Sequence, residues 1–169
     1  MNIIVRPMVT KDREAVTRLL KNTPEFTPEE AAVAAELADI SLRDGWLPSG
    51  YFTEVAEDNQ TVTGFICYGP TPMTLGTWDV YWLAVDSSMQ RKGIGRALLS
   101  HAEEEIMKNG ARMILIETSG QPSYQRTRKF YESMAYSVIA VVPEFYAPGD
   151  DKVLFRKKYG ENGDAGCSE

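Results

Sequence analysis

Eight residues in the middle of the chain, Gln90 to Ala97 (QRKGIGRA), combine Gly93 and Gly95 with the cations Arg91, Lys92 and Arg96. They lie between a bulky apolar run, Trp78 to Val85, and a stretch in which Leu98, Ala102 and Ile106 recur at the spacing of an amphipathic helix. A glycine at a strand-to-helix turn lets the backbone come close to a ligand, because no Cβ stands in the way. The first amides of a helix lack intrahelical acceptors, and with the helix dipole they attract anions. The chemistry on offer is therefore a phosphate or diphosphate held by main chain, with basic side chains around it. From spacing alone, a plain helix start with solvated cations fits the same residues. Two nucleotide motifs are excluded. The stretch lacks the Gly-Lys-Ser/Thr ending of a P-loop, and Leu98 stands where the dinucleotide fingerprint needs its third glycine.

Other reactive residues offer less. His101, the single histidine, follows Ser100, but adjacent helix positions do not face each other, and no Gly-x-Ser-x-Gly turn is present. It reads as a surface or rim residue. Cys67 falls in an apolar run and reads as strand core, and Cys167 lies in a polar tail; two such positions make neither a metal site nor a disulfide framework. The run Glu103-Glu104-Glu105 reads as a solvated helix face. A net charge of -6 argues against a general nucleic-acid binder. The N-terminal MNIIVRPM is not a secretory signal, and no run reaches the roughly 18 apolar residues of a membrane span. The expectation is a cytoplasmic protein without membrane or nucleic-acid partners and without a bound metal.

The elements that must position these residues are legible at 169 residues as one domain, with 160–169 expected to be a disordered tail. Ile3 to Arg6 reads as a strand and Lys11 to Lys21 as a helix. Thr27-Pro28-Glu29-Glu30 is a capping box opening a second helix, with Val33, Leu37 and Ile40 on one face, ending near Gly45. Tyr51 to Glu57 and Thr61 to Tyr68 form a hairpin around Asp58-Asn59. Gly69 to Thr77 is a loop. Strand 78–85, the glycine turn, a helix to Lys108 stopped by Asn109-Gly110, and strand 113–117 make a β-α-β unit with parallel strands. Gln121 to Met134 is a further helix. Tyr136 to Val142 and Lys152 to Lys157 are a last strand pair, joined by the loop PEFYAPGDD.

The segment VYWLAVDSSMQRKGIGRALLSHAEE resembles the central motif of the GNAT superfamily of N-acetyltransferases, Gln/Arg-x-x-Gly-x-Gly/Ala after an apolar strand. Gln90, Gly93 and Gly95 fill that pattern. YQRTRKFYESMAYSV resembles the family's second signature, with Phe130-Tyr131 ahead of a small residue and an aromatic. The resemblance runs over residues 3 to 157. Tyr124 stands where the family usually has Asn, and Ala135 where it has Gly.

The resemblance implies an α/β (α+β) fold in a single domain over residues 1–159. It has a mixed central sheet of six to seven strands flanked by about four helices, with splayed parallel strands at the cofactor site. It implies direct transfer of an acetyl group from acetyl-coenzyme A to a primary amine through a tetrahedral intermediate. The diphosphate would lie on Arg91, Lys92, Gly93, Ile94, Gly95 and Arg96, flanked by Gln90 and Ala97. The pantetheine arm would run along Leu83, Ala84 and Val85, between Thr118 and the helix carrying Tyr124, Thr127 and Phe130. Tyr131 would be the acid for the leaving thiolate. Asp79 would be either the base for the amine or a substrate-anchoring carboxylate. The acceptor site would be built by helix 27–44, loop 69–77 and loop 143–151, with Phe26, Tyr68, Met73, Trp78, Tyr81, Phe145 and Tyr146 plus Glu144, Asp150 and Asp151. The run Gly149-Asp150-Asp151 is also readable as a tight turn in the last hairpin. A small-molecule amine, a protein N-terminus and a lysine all remain open as acceptor, and a homodimer is compatible with the fold. The alternative is a non-catalytic acyl-coenzyme A-binding module of the same fold, which would need no acid.

Overall fold

The computed structural model describes residues 2–159, so Cys167 and the expected tail lie outside the described residues. Seven strands form one mixed sheet in the order β1-β2-β3-β4-β5-β7-β6. They are β1 (Ile3–Pro7), β2 (Phe52–Asp58), β3 (Thr61–Pro70), β4 (Thr77–Val85), β5 (Met113–Ser119), β6 (Ser137–Ala147) and β7 (Asp150–Lys158). All neighbours are antiparallel except β4 and β5, as the β-α-β reading requires.

Five helices flank the sheet: α1 (Arg13–Lys21), α2 (Pro28–Asp44), the single-turn α3 (Trp46–Ser49), α4 (Ile94–Lys108) and α5 (Gln125–Ser133). Two apolar cores result. Helices α1 and α2 close over Val55, Phe65, Cys67 and Ala84 on one face. On the other face α4 and α5 close over Ile66, Tyr68, Trp78, Val80, Ile114, Ile116 and Phe155. Cys67 is fully buried, and burial pushes its thiol up to about 12, so it packs and does not react.

The capping box forms as its residues dictate: Thr27 Oγ1 accepts from Glu30 N–H at 3.1 Å, and the Glu30 carboxylate accepts from Thr27 N–H at 2.8 Å. The face of α2 differs from the expectation. Ala31, Ala34, Ala38 and Ser41 are buried, Leu37 and Ile40 are half-buried, and Val33 is exposed. Small residues let α2 lie close to α1 and the sheet, and the larger aliphatics flank that contact.

Loop 143–151 is also different. Strand β6 continues through Ala147 and β7 starts at Asp150, leaving only Pro148-Gly149 as the turn, with Gly149 at φ 76°. Proline is tolerated at Pro143 because β6 is an edge strand. The acidic run is not simply solvated. Glu103 pairs with Lys157 at 2.8 Å and accepts from Tyr136 Oη at 2.9 Å, Glu105 pairs with Lys108, and only Glu104 stays in water without such a partner. His101 sits at a rim, half-buried, with Nδ1 3.1 Å from Oε2 of the buried Glu54.

Candidate active site

The sheet opens where β4 and β5 part. Their parallel pairing runs from Thr77↔Met113 to Val80↔Ile116 and stops there. Beyond that point β4 pairs only with β3, while Glu117 to Ser119 of β5 pair only with β7. A bulge in β4 marks the parting: Cys67 lies opposite Trp82 and Tyr68 opposite Val80, so Tyr81 has no partner. The extra residue bends β4 away from β5. It also puts Tyr81 and Trp82 together in the α1/α2 core, whereas Leu83 and Val85 pack toward α4. The edge of Leu83 to Val85 that faces the gap is left without a strand.

Gly93 begins α4 at the mouth of this gap. It sits at φ 85°, ψ 0°, in the left-handed region, and a Cβ built on it would meet nothing within 4 Å. Arg91 is also left-handed, at φ 63°. The first backbone bond of the helix runs from Ala97 N–H to the Gly93 carbonyl at 2.9 Å. The amides of the preceding turn therefore have no intrahelical acceptor. The Arg91, Lys92 and Arg96 side chains are exposed around them. Ile94 is 1% exposed and packs under the helix, so only its amide can serve a ligand. At Gly95 a Cβ would make only ordinary contact with Phe130 and Val85, at 3.6 Å, which shows how closely α5 leans on the start of α4 at this point.

The α5 side supplies Tyr131. Its ring is buried among Phe130, Tyr136 and Phe155, with centroids 5.5 to 6.2 Å away. Its hydroxyl bonds to no other described residue, and burial raises its pKa well above that of a free phenol, so it stays protonated. Tyr124, in the place of the family's Asn, spends its hydroxyl on the Glu25 carbonyl at 2.5 Å. It straps the turn before α5 to the segment before α2, a contact between residues 99 apart that no local pattern announces. Thr118 is buried and Thr127 half-buried beside this region.

On the α1/α2 face, alternation brings Asp79 and Tyr81 of β4, Glu117 and Ser119 of β5, and Asp150 and Lys152 of β7 to one side of the sheet. Thr71 Oγ1 donates to Asp79 Oδ2 at 2.6 Å, and Ser119 Oγ donates to Asp150 Oδ1 at 2.5 Å. Burial raises the Asp79 pKa, the Thr71 bond opposes that, and nearby Glu117 adds to it. Lys152 pairs with Glu117 and lies 4.5 Å from the centre of the Phe145 ring. Tyr146, at 5.0 Å edge-on to Phe145, has its hydroxyl pushed up to about 12 by burial and then by Glu117, Asp150 and Glu30. Phe26 packs edge-on against Trp82 at 5.3 Å and Tyr51 against Tyr81 at 5.6 Å. The side is thus aromatic and rich in carboxylates.

Three expected acceptor residues are elsewhere. Tyr68 is 1% exposed and lies in the α4 core beside Phe52, and Trp78 is buried with it. Strand alternation carries both to the face opposite Tyr81. Met73 is fully exposed at the tip of the β3–β4 loop, at φ 59°. Glu144 is spent inside the last hairpin: its N–H donates to Asp151 Oδ1 at 2.9 Å and its carboxylate accepts from Gly149 N–H at 3.2 Å. Sequence reasoning missed Thr71, Glu117 and Lys152, which become visible only once β4, β5 and β7 are known to be neighbours.

Comparison with known proteins agrees with this geometry. The model of the Acetyltransferase (GNAT) family matches residues 14–136, and the chain belongs to that family. A crystal structure assigned to the GNAT acetyltransferases, from Desulfovibrio desulfuricans, superposes with a TM-score of 0.89 at 42% identity, covering 93% of this chain and 99% of that one. A mycothiol acetyltransferase of Amycolatopsis mediterranei is 30% identical over 117 residues, 65% of this chain and 38% of its own length. The [ribosomal protein bS18]-alanine N-acetyltransferase of Escherichia coli is 29% identical over 82 residues, 48% of this chain and 54% of its own. The chain thus spans about two fifths to one half of these curated relatives. Among more distant structures of the same fold is an aminoglycoside 6'-N-acetyltransferase complexed with coenzyme A, at a TM-score of 0.73 and 19% identity over 92% of this chain and 96% of that one. The opened strand edge, the left-handed Gly93 with free space above it and the acceptor-less amides fit such a cofactor.

Proposed function

We propose that the chain is an acetyl-coenzyme A-dependent N-acetyltransferase acting on a cationic amine. The observation that carries this reading is the end of β4–β5 pairing at Val80↔Ile116, with the start of α4 at the mouth of the gap. Bound acetyl-coenzyme A would supply a thioester for direct attack by the amine, with a thiolate as leaving group. The amides of residues 91–96, with Arg91, Lys92 and Arg96 around them, hold the diphosphate. Gln90 and Ala97 border it. Leu83, Ala84 and Val85 offer backbone groups to the pantetheine arm, as a strand edge does to a peptide, and a backbone N–H there polarises the acetyl carbonyl, a contribution of about 3 kcal/mol. Phe130, Thr127 and Thr118 wall the arm.

Tyr131, kept protonated by burial, donates to the departing sulfur. Asp79 takes the proton of the acceptor ammonium, through water, and its upward shift moves it in the direction a base needs. Tyr81, Phe145, Tyr146 and Phe26 provide aromatic walls, and Asp79 and Asp150, with Glu117 already paired to Lys152, leave the net negative charge that draws a cation in.

The test is thiol release from acetyl-coenzyme A across small amines, polyamines, amino acids and peptides with free N-termini or lysines. Transfer to at least one amine, with release matched to acetylated product, supports the reading. Tight binding of acetyl-coenzyme A without transfer to any of them would replace it by the non-catalytic binding module.

A further inference from the structure

Two segments far apart in the chain meet where the sheet has opened. One is residues 23–26, between α1 and α2. Thr23 fastens it to the end of α1, its N–H donating to the Leu20 carbonyl at 3.2 Å and its Oγ1 to the Leu19 carbonyl at 3.0 Å. Phe26 fastens it to the free arm of β4: its ring lies edge-on to Trp82, which stands beyond Val80, the last residue of β4 to pair with β5. The other segment is the turn 120–124 that follows β5. Gly120 N–H donates to the Asp151 carbonyl at 2.7 Å, Gln121 N–H to Ser119 Oγ at 3.0 Å and Arg128 Nη1 to the Ser119 carbonyl at 2.7 Å, which fix this turn to the arm formed by β5 and β7.

One hydrogen bond joins the two anchored segments, from Tyr124 Oη to the Glu25 carbonyl. The path Trp82, Phe26, Glu25, Tyr124, Ser119 therefore crosses from one diverging strand to the other. Among the described residues, Pro24 and Glu25 make no other hydrogen bond, so between its anchors the first segment is held by this one. Burial, then Glu30, Glu25 and Asp150, pushes the Tyr124 hydroxyl up to about 12, so it keeps the proton it donates. An asparagine side chain, usual in the family at this place, is too short for the same reach.

We infer that the Tyr124–Glu25 bond is a strap across the gap between β4 and β5, which opens to let the pantetheine arm in or out and closes again over it. The inference rests on the placement of that arm between Leu83–Val85 and Glu117–Ser119 under the proposed function. A single neutral hydrogen bond suits a gate of this kind, because it is weak enough to open within the microseconds to milliseconds of loop motion. Tyr124 is then a positioning residue: it acts through the segment it holds and touches no reacting atom.

Stopped-flow binding of coenzyme A to wild type and Tyr124→Phe tests the gate, since the variant keeps the ring and removes only the donor. A closed strap slows entry and exit alike by the fraction of time it is open. One neutral hydrogen bond changes that fraction by about 2- to 12-fold, so association and dissociation rates should both rise by this factor while Kd stays within about twofold. Amide exchange of the free chain is the second readout. The Phe26 and Tyr124 amides, bonded to the Thr23 and Gln121 carbonyls, should exchange faster in the variant. Unchanged rates of binding in a folded variant overturn the inference. So does a weaker Kd at an unchanged association rate, which would make Tyr124 an ordinary contact of the arm, and so does unchanged exchange at both amides. A wild type that binds no coenzyme A overturns the proposed function and the gate with it; faster exchange in the variant would then mark the bond as a tie of the fold alone.

Discussion

Replacing Gly93 by Glu separates the cost to the fold from the cost to the ligand. Gly93 sits at φ 85°, and a Cβ there has nothing within 4 Å, so the unliganded chain loses only the strain of a left-handed non-glycine residue. That strain is about 1–2 kcal/mol, or a fall in Tm of roughly 2–8 °C for a domain of this size. The ligand loses far more. A carboxylate would project from the turn whose amides are proposed to hold the diphosphate. Hydrogen bonds to a charged group are each worth about 1.5–3 kcal/mol. Losing two of them weakens acetyl-coenzyme A by roughly 10²–10⁴-fold. Calorimetry on wild type and Gly93→Glu measures the difference, with a thermal melt as control. Acetyl-pantetheine, which has no diphosphate, is expected to bind both proteins alike. An acetyl-coenzyme A affinity within threefold of wild type, in a folded variant, would refute the assignment of residues 91–96 to the diphosphate.

Three further outcomes follow from the same geometry. Tyr131→Phe is expected to lower kcat by about 10²–10³-fold while calorimetry finds acetyl-coenzyme A binding unchanged; equal turnover would remove Tyr131 as the acid. Thr71→Val removes the one hydrogen bond that lowers the Asp79 pKa against burial. Asp79 should then hold its proton to higher pH, moving the acid limb of kcat/KM toward alkaline pH, and an unmoved limb in the pH–rate profile would show that Asp79 is not the base. Gly64→Ala would place its Cβ 2.7 Å from Leu98 Cδ1 and 2.9 Å from Ile94 Cγ2. Overpacking of this kind costs about 1–3 kcal/mol, so a clearly lower Tm is expected, and an unchanged melt would contradict the close approach of α4 to β3.

The β-α-β unit around the glycine turn was readable because its signals are local: a bulky strand, a turn that needs a glycine, and an apolar repeat of helical period. The same holds for the capping box at Thr27. What escaped was set by distant partners. The buried face of α2 is made of alanines, which carry little hydropathy contrast against Val33 and Leu37. The stretch 143–151 reads as a loop joining the last strand pair because Pro143 and Pro148 break the pattern, yet an edge strand needs a donor on only one side and β6 runs on to Ala147. Strand alternation around the β4 bulge sends Tyr68 and Tyr81 to opposite faces, although both had been grouped by chemistry alone. Glu103 reads as surface until Lys157, 54 residues on, is seen beside it. Of the proposed active site, the glycine turn and Tyr131 carry a motif. Thr71, Glu117 and Lys152 belong to it only through the sheet order.

The most direct test of the whole account is a crystal structure with coenzyme A bound. The account places the diphosphate on the amides of residues 91–96 and the pantetheine arm in the gap between Leu83–Val85 and Glu117–Ser119, with the sulfur near the Tyr131 hydroxyl. Coenzyme A ordered at another surface, with that gap closed or filled by side chains, would contradict it.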